Sequence, residues 1–184
     1  MSWTDQRPDD AMDGAFTALG PETVRTVEPA FFRGAMSRLG GAVHVITTAG
    51  PGGKLGSTAT AVCSVSDAPP TLLACLHRGS QTNSAMFENG AFCVNTLGEG
   101  GANIADLFAG RTGISGSNRF GQDDWITLST GSPVLVCAVV AFDCRIVEVH
   151  SVGSHNVFFG AVENLRLGPT GRVLVYHDRA YKQV

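Results

Sequence analysis

Residues 56–70 read Gly-Ser-Thr-Ala-Thr-Ala-Val-Cys-Ser-Val-Ser-Asp-Ala-Pro-Pro. Small, hydroxyl and β-branched residues favour an extended strand, and the double proline ends it. Such a strand offers main chain in place of bulk. A flat ligand with polar edge atoms can come within hydrogen-bonding distance of its N–H and C=O groups, which large side chains would prevent. The same composition also describes an ordinary edge or barrel strand, so the segment alone leaves both readings open.

Upstream, residues 42–49 read as a strand, Gly50-Pro51-Gly52-Gly53 as a turn and residues 54–66 as the returning partner. The turn has neither the terminal Gly-Lys-Ser/Thr nor the following helix of a phosphate-binding loop. Glu28-Pro29 opens a helix in which Phe32, Ala35, Met36 and Leu39 recur at i, i+3, i+4, i+7 before Gly40-Gly41. One face of this helix is predicted to pack on a sheet. Residues 1–28 are polar and rich in turn formers, which predicts a flexible tail ahead of a domain over 29–184.

Downstream, residues 71–77 form an apolar strand. Ser80, Thr82, Asn83 and Ser84 then open a short helix that stops at Asn89-Gly90. Residues 91–97 return to strand, and Ile104, Leu107 and Phe108 mark a second short helix ending at Gly110. A glycine-rich loop leads to Trp125. Two long strands, 133–152 and 156–167, meet across Gly153, and 173–177 adds a last one. Six or seven hairpin-linked strands without βαβ alternation predict a mainly β fold with short helices, closed as an antiparallel barrel.

A chain of 184 residues with 43% hydrophobic content can bury a core in one domain. The net charge of −3 and the lack of any Lys/Arg cluster argue against nucleic acid. No apolar run reaches about 18 residues, and the acidic N-terminus is unlike a signal peptide. A soluble, cytoplasmic protein is expected, with no membrane partner. Cys63, Cys75, Cys93, Cys137 and Cys144 make an odd set without a C-x-x-C pair and are expected to be reduced core residues.

The hydroxyl cluster at 80–84 suits an anion at a helix start, although plain capping explains the same residues. His44, His77, His150, His155 and His177 lack metal-ligand spacing, and no nucleophile elbow is present, so neither a metal site nor a hydrolytic triad is legible. His155 stands out because Gly153-Ser154-His155 interrupts two long strands and sets an imidazole at a loop rim.

Taken together, several segments resemble the short-chain flavin reductase family over about residues 30–184. They are 56–70, 72–76, Phe92-Cys93-Val94-Asn95-Thr96-Leu97, Leu107-Phe108-Ala109-Gly110, Arg119-Phe120, Trp125, Gly153-Ser154-His155 and 176–181. Within the family the chain is similar to the reductase components of 4-hydroxyphenylacetate 3-monooxygenases.

The resemblance implies a closed antiparallel split β-barrel (the FMN-binding split barrel), usually a homodimer, that passes a hydride from NADH or NADPH to FMN or FAD and supplies reduced flavin to a partner oxygenase. It implies that Thr58, Ala59, Thr60, Ser64, Val65 and Ser66 line the flavin, that Ser80 and Thr82 approach its phosphate, and that His155 and, more weakly, Tyr181 face the nicotinamide. Such a transfer asks the protein for positioning and for main-chain donors near the flavin, with no acid or nucleophile among the side chains. Two rivals on the same fold are an FMN-holding reductase of another acceptor, such as a corrinoid, and a non-enzymatic flavin- or haem-binding barrel. Many relatives have Gly-Asp-His where this chain has Gly153-Ser154-His155.

Overall fold

The structure is a computed structural model that describes residues 25–184. The tail expected over 1–28 therefore lies, as far as residue 24, outside the described residues. A compact unit runs from Ser37 to Val184, and the first helix, α1 (Pro29–Met36), belongs to a separate unit before it. None of the residues of α1 is buried, and Phe31, Phe32 and Met36 are exposed.

The protein is mainly β with short helices. Its main sheet is antiparallel throughout and has the order β3 (Leu55–Ala59), β2 (His44–Thr48), β6 (Ala91–Thr96), β9 (Val140–Val152), β10 (His155–Leu167), β5 (Pro70–His77), β4 (Val62–Asp67). A small sheet joins β1 (Gly41–Ala42), β11 (Leu174–His177) and β12 (Ala180–Gln183), and a two-stranded one pairs β7 (Trp125–Thr127) with β8 (Pro133–Leu135).

The strand expected over 54–66 is in fact two strands at opposite edges of the main sheet. Between them stand only Thr60 and Ala61, where Val62 N donates to Thr60 O at 3.1 Å. A two-residue joint cannot span a flat seven-stranded sheet, because neighbouring strands stand about 4.8 Å apart. The sheet is therefore curled so that its edges approach at Thr60-Ala61, but β3 and β4 form no ladder with each other, so the antiparallel barrel expected to be closed is open along this seam. The strand expected over 133–152 is likewise interrupted, between Leu135 and Val140, and β7 and β12 lay outside the sequence reading.

β2 is buried along its whole length. Its alternation sends Val43 and Val45 to one cluster, with Leu97, Phe108, Phe120 and Leu135, and Ile46 to the other, with Leu76, Met86, Phe92 and Phe158. Helix α3 (Ala102–Phe108) covers the first cluster through Ile104, Leu107 and Phe108, and α2 (Gln81–Asn89) covers the second through Met86. Ser80 caps α2 by accepting from Asn83 N at 3.1 Å, and Gly90 closes it at φ 65°. The Gly50–Gly53 turn is pinned to that helix: Gly52 N donates to Asn89 Oδ1 at 2.7 Å and Asn89 Nδ2 donates to Gly53 O at 3.0 Å. That contact gives the turn a structural task in place of a nucleotide.

Of the five cysteines, which form no disulfide, only Cys93 and Cys144 are core residues; Cys63 and Cys137 are exposed and Cys75 is half-buried. Cys63 sits on the edge strand β4, where one face meets solvent, which the apolar letters around it do not reveal. No helix among the described residues is long and apolar enough to cross a membrane.

Candidate functional site

An open cleft of about 470 Å³ lies beside the joint between β3 and β4. One wall is β3 and the joint itself, contributing Ser57, Thr58, Ala59, Thr60 and Ala61. Because β3 is an edge strand, one side of its main chain has no neighbouring strand. Close packing sets its position: a Cβ added at Gly56 would lie 2.8 Å from Phe108 Cε1 and 3.1 Å from Ile46 O. Thr58 is tied down by its hydroxyl, which donates to Ala105 O at 2.7 Å.

Further lining comes from β5, whose Cys75 N donates to Ala61 O of the joint at 2.9 Å, and from the start of β10. The β9–β10 hairpin turns at Gly153, φ 55°, and presents His155 directly across the ladder from His77. Both imidazoles are exposed, line the cleft and meet edge to face with centroids 5.4 Å apart. Ser154 Oγ lies 2.9 Å from His155 Nδ1. Ser80 completes this end, and Cys75, whose thiol is pushed up by burial, lies between.

The remaining side is built by α3 and the small sheet: Phe108, Ala109, Arg111, Tyr176 and Tyr181. Arg111 Nη1 donates to Asp106 Oδ1 at 2.8 Å, Tyr181 Oη donates to the same oxygen at 3.2 Å, and the guanidinium stands 5.9 Å from the Tyr181 ring centroid. Burial, followed by the nearby Asp106 carboxylate, raises the Tyr181 phenol, which stays a donor. Among the described residues lining the cleft, Arg111 is the one Lys or Arg.

Thr58, Ala59, Thr60, Ser80, His155 and Tyr181 are thus brought together around one cavity. Ser64, Val65 and Ser66 are not; they follow the joint on β4 and lie outside the cleft lining. Thr82 is buried behind it, its hydroxyl accepting from Ser57 Oγ at 2.8 Å. The sequence reading missed His77, Arg111 and Tyr176. His77 could have been found from pairing β5 with β10; Arg111 carried no signal beyond its place after the Phe108-Ala109-Gly110 stretch.

The flavin reductase like domain model matches residues 36–184. The chain belongs to that family. This flavin reductase-like chain is 53% identical over 156 residues to an FMN reductase (NADH) named RutF 1 of Methylorubrum extorquens, covering 85% of its own length and 77% of the relative's. A candidate flavin reductase of Haemophilus somnus shares its fold with a TM-score of 0.82 at 39% identity, over 86% of this chain and 100% of the other. A homolog of nitrilotriacetate monooxygenase component B from Mycobacterium thermoresistibile aligns with a TM-score of 0.77 at 29% identity, over 84% and 86% of the two chains.

The cleft suits a flavin nucleotide by its donor set. A planar ring can lie against the small side chains of β3, whose unpaired main-chain edge offers donors and acceptors, and the single cation of the lining suits a phosphate.

Proposed function

We propose that this chain is an NADH-dependent FMN reductase that hands reduced flavin to a partner oxygenase, with FMN ahead of FAD and NADH ahead of NADPH. The observation that carries the reading is one open cleft lined both by the small residues that end β3 and form its joint to β4, 58–61, and by the paired imidazoles of His77 and His155. Relatives named as FMN reductases (NADH) support the choice of flavin and nicotinamide, and the likeness to a monooxygenase component supports the oxygenase.

Bound flavin supplies the hydride acceptor and reduced nicotinamide the donor. The residues' work is to hold the two in contact. Thr58, Ala59 and Thr60 give the flavin a flat seat and main-chain donors, and the rest of the expected flavin set, Ser64, Val65 and Ser66, serves only if β4 shifts toward the cleft. Ser80 and Arg111 bracket the phosphate, with Thr82 steadying Ser57 from behind. His155 and Tyr181 confine the nicotinamide from opposite sides. The cleft's openness lets the flavin come and go as a substrate. In this reading the curled sheet is a split barrel, and the apolar side chains left exposed on β9 and β10, Val147, Val152, Leu165 and Leu167, are covered in a homodimer.

The test is NADH oxidation by the purified protein with and without added FMN, FAD or riboflavin. Turnover only when flavin is added agrees with the proposal. NADH oxidation that ignores added flavin, or none at all, overturns it.

A further inference from the structure

Arg78 N donates to Ser154 O at 2.9 Å and Arg78 Nη1 to Gly153 O at 3.5 Å, which ties the end of β5 to the hairpin tip. Beneath them, buried Asn156 donates from Nδ2 to Asn83 Oδ1 at 3.1 Å, and Asn83 Nδ2 donates to Leu76 O at 3.3 Å. The two imidazoles meet edge to face on a braced platform.

Such a pair has two available chemistries: lone pairs for a transition-metal cation, or N–H groups for an acceptor. Gly79 decides between them. Its main-chain N–H donates to His77 Nδ1 at 3.1 Å. An amide N–H can only donate, so Nδ1 presents its lone pair there and the ring's proton sits on Nε2. A protonated Nε2 has no lone pair to give a metal. It offers a hydrogen-bond donor from a ring that lines the cleft.

We propose that His77 is a second nicotinamide-binding residue, whose Nε2–H donates to the carboxamide oxygen of the dinucleotide beside His155. This rests on the reading of the cleft as the meeting place of NADH and flavin. An N–H donor matches a carboxamide oxygen, whereas the phosphates have Arg111. The flavin's seat is the small-residue strand β3, which carries neither imidazole.

The experiment compares wild type, His77→Ala and His77→Gln by steady-state kinetics with NADH, with thionicotinamide adenine dinucleotide in its reduced form, and with FMN. Loss of one hydrogen bond at the cleft rim predicts that His77→Ala raises the KM for NADH about tenfold, leaves the KM for FMN within about twofold, and narrows the preference for NADH over the thioamide analogue, a poor acceptor. Gln, whose amide N–H reaches close to the Nε2 position, restores most of the loss. An unchanged KM for NADH in His77→Ala, a rise confined to the KM for FMN, or inhibition of wild type by equimolar Zn²⁺ that vanishes in His77→Ala would each overturn the assignment. Absence of flavin-dependent NADH oxidation in wild type would instead sink the reading of the cleft, and the role of His77 with it.

Discussion

Tyr181, near the C-terminus, donates its hydroxyl to the Asp106 carboxylate on α3 at 3.2 Å, the same oxygen that accepts from Arg111. One carboxylate thereby holds an aromatic ring and the cleft's cation in place. Asp106 and Arg111 are well exposed, with side chains 39% and 54% accessible, so this triad contributes little to stability and much to the arrangement of the cleft.

Arg111→Ala is expected to raise the KM for FMN about tenfold while the KM for riboflavin, which lacks the phosphate, stays within about twofold. The unfolding free energy should change by less than about 1 kcal/mol. Parallel kinetics with the two flavins check it, and an equal effect on both would show that Arg111 does not meet the phosphate.

Ala59→Leu places a branched side chain where the flavin seat needs a flat wall. Flavin affinity is expected to fall more than about tenfold with the fold intact, read by a fluorescence titration and by circular dichroism. Wild-type affinity in the variant would remove β3 from the binding site.

Gly56→Ala should cost about 1–3 kcal/mol, because its new Cβ would press on Phe108 and on the Ile46 carbonyl. Urea unfolding measures it. Phe108 also lines the cleft, so a rise in the KM for flavin should accompany the loss of stability.

His44 is buried against Thr96, Nδ1 to Oγ1 at 3.0 Å, and burial lowers it from 6.5 to about 4. The folded state keeps the ring neutral while the unfolded chain takes up a proton below about pH 6.5. Stability from this group is therefore complete above pH 6.5 and falls as the pH drops toward 4, by about 2 kcal/mol at pH 5. Urea unfolding at pH 7 and pH 5 should show that loss in wild type and a smaller pH dependence in His44→Gln.

Cys63 should react within minutes with a maleimide, and Cys137, exposed but raised by partial burial and the nearby Asp123 carboxylate, more slowly, giving two adducts by mass spectrometry while Cys93 and Cys144 resist. Burial raises both core thiols, Cys144 to about 12, which removes the reactive thiolate as well as access. Cys75 in the cleft wall should react slowly, and more slowly with FMN bound.

The strand runs and the two helix stops were legible because each is written locally: Asn89-Gly90 ends α2 with a left-handed glycine, and the apolar run over 71–77 marks β5, although only the structure shows that Leu72, Ala74 and Leu76 face inward. The break at Thr60-Ala61 was not, since Thr and Ala continue the β-forming composition on both sides and only the pairing partners differ, β2 before the joint and β5 after it. The resemblance groups Ser64, Val65 and Ser66 with Thr58, Ala59 and Thr60, whereas in the structure the first three lie on β4 beyond the joint and outside the cleft lining.

The order of side chains along the backbone, with their size, branching and turn-forming glycines, was enough to establish a mainly β chain of a flavin reductase kind and to mark 56–60 and His155 as residues of interest. Which residues share a cavity was settled by strand pairing between distant segments. His77 faces His155 and Asp106 joins Arg111 to Tyr181 because the curled sheet brings together stretches whose separation along the chain leaves no periodic trace, and proximity of that kind depends on the packing of the whole core.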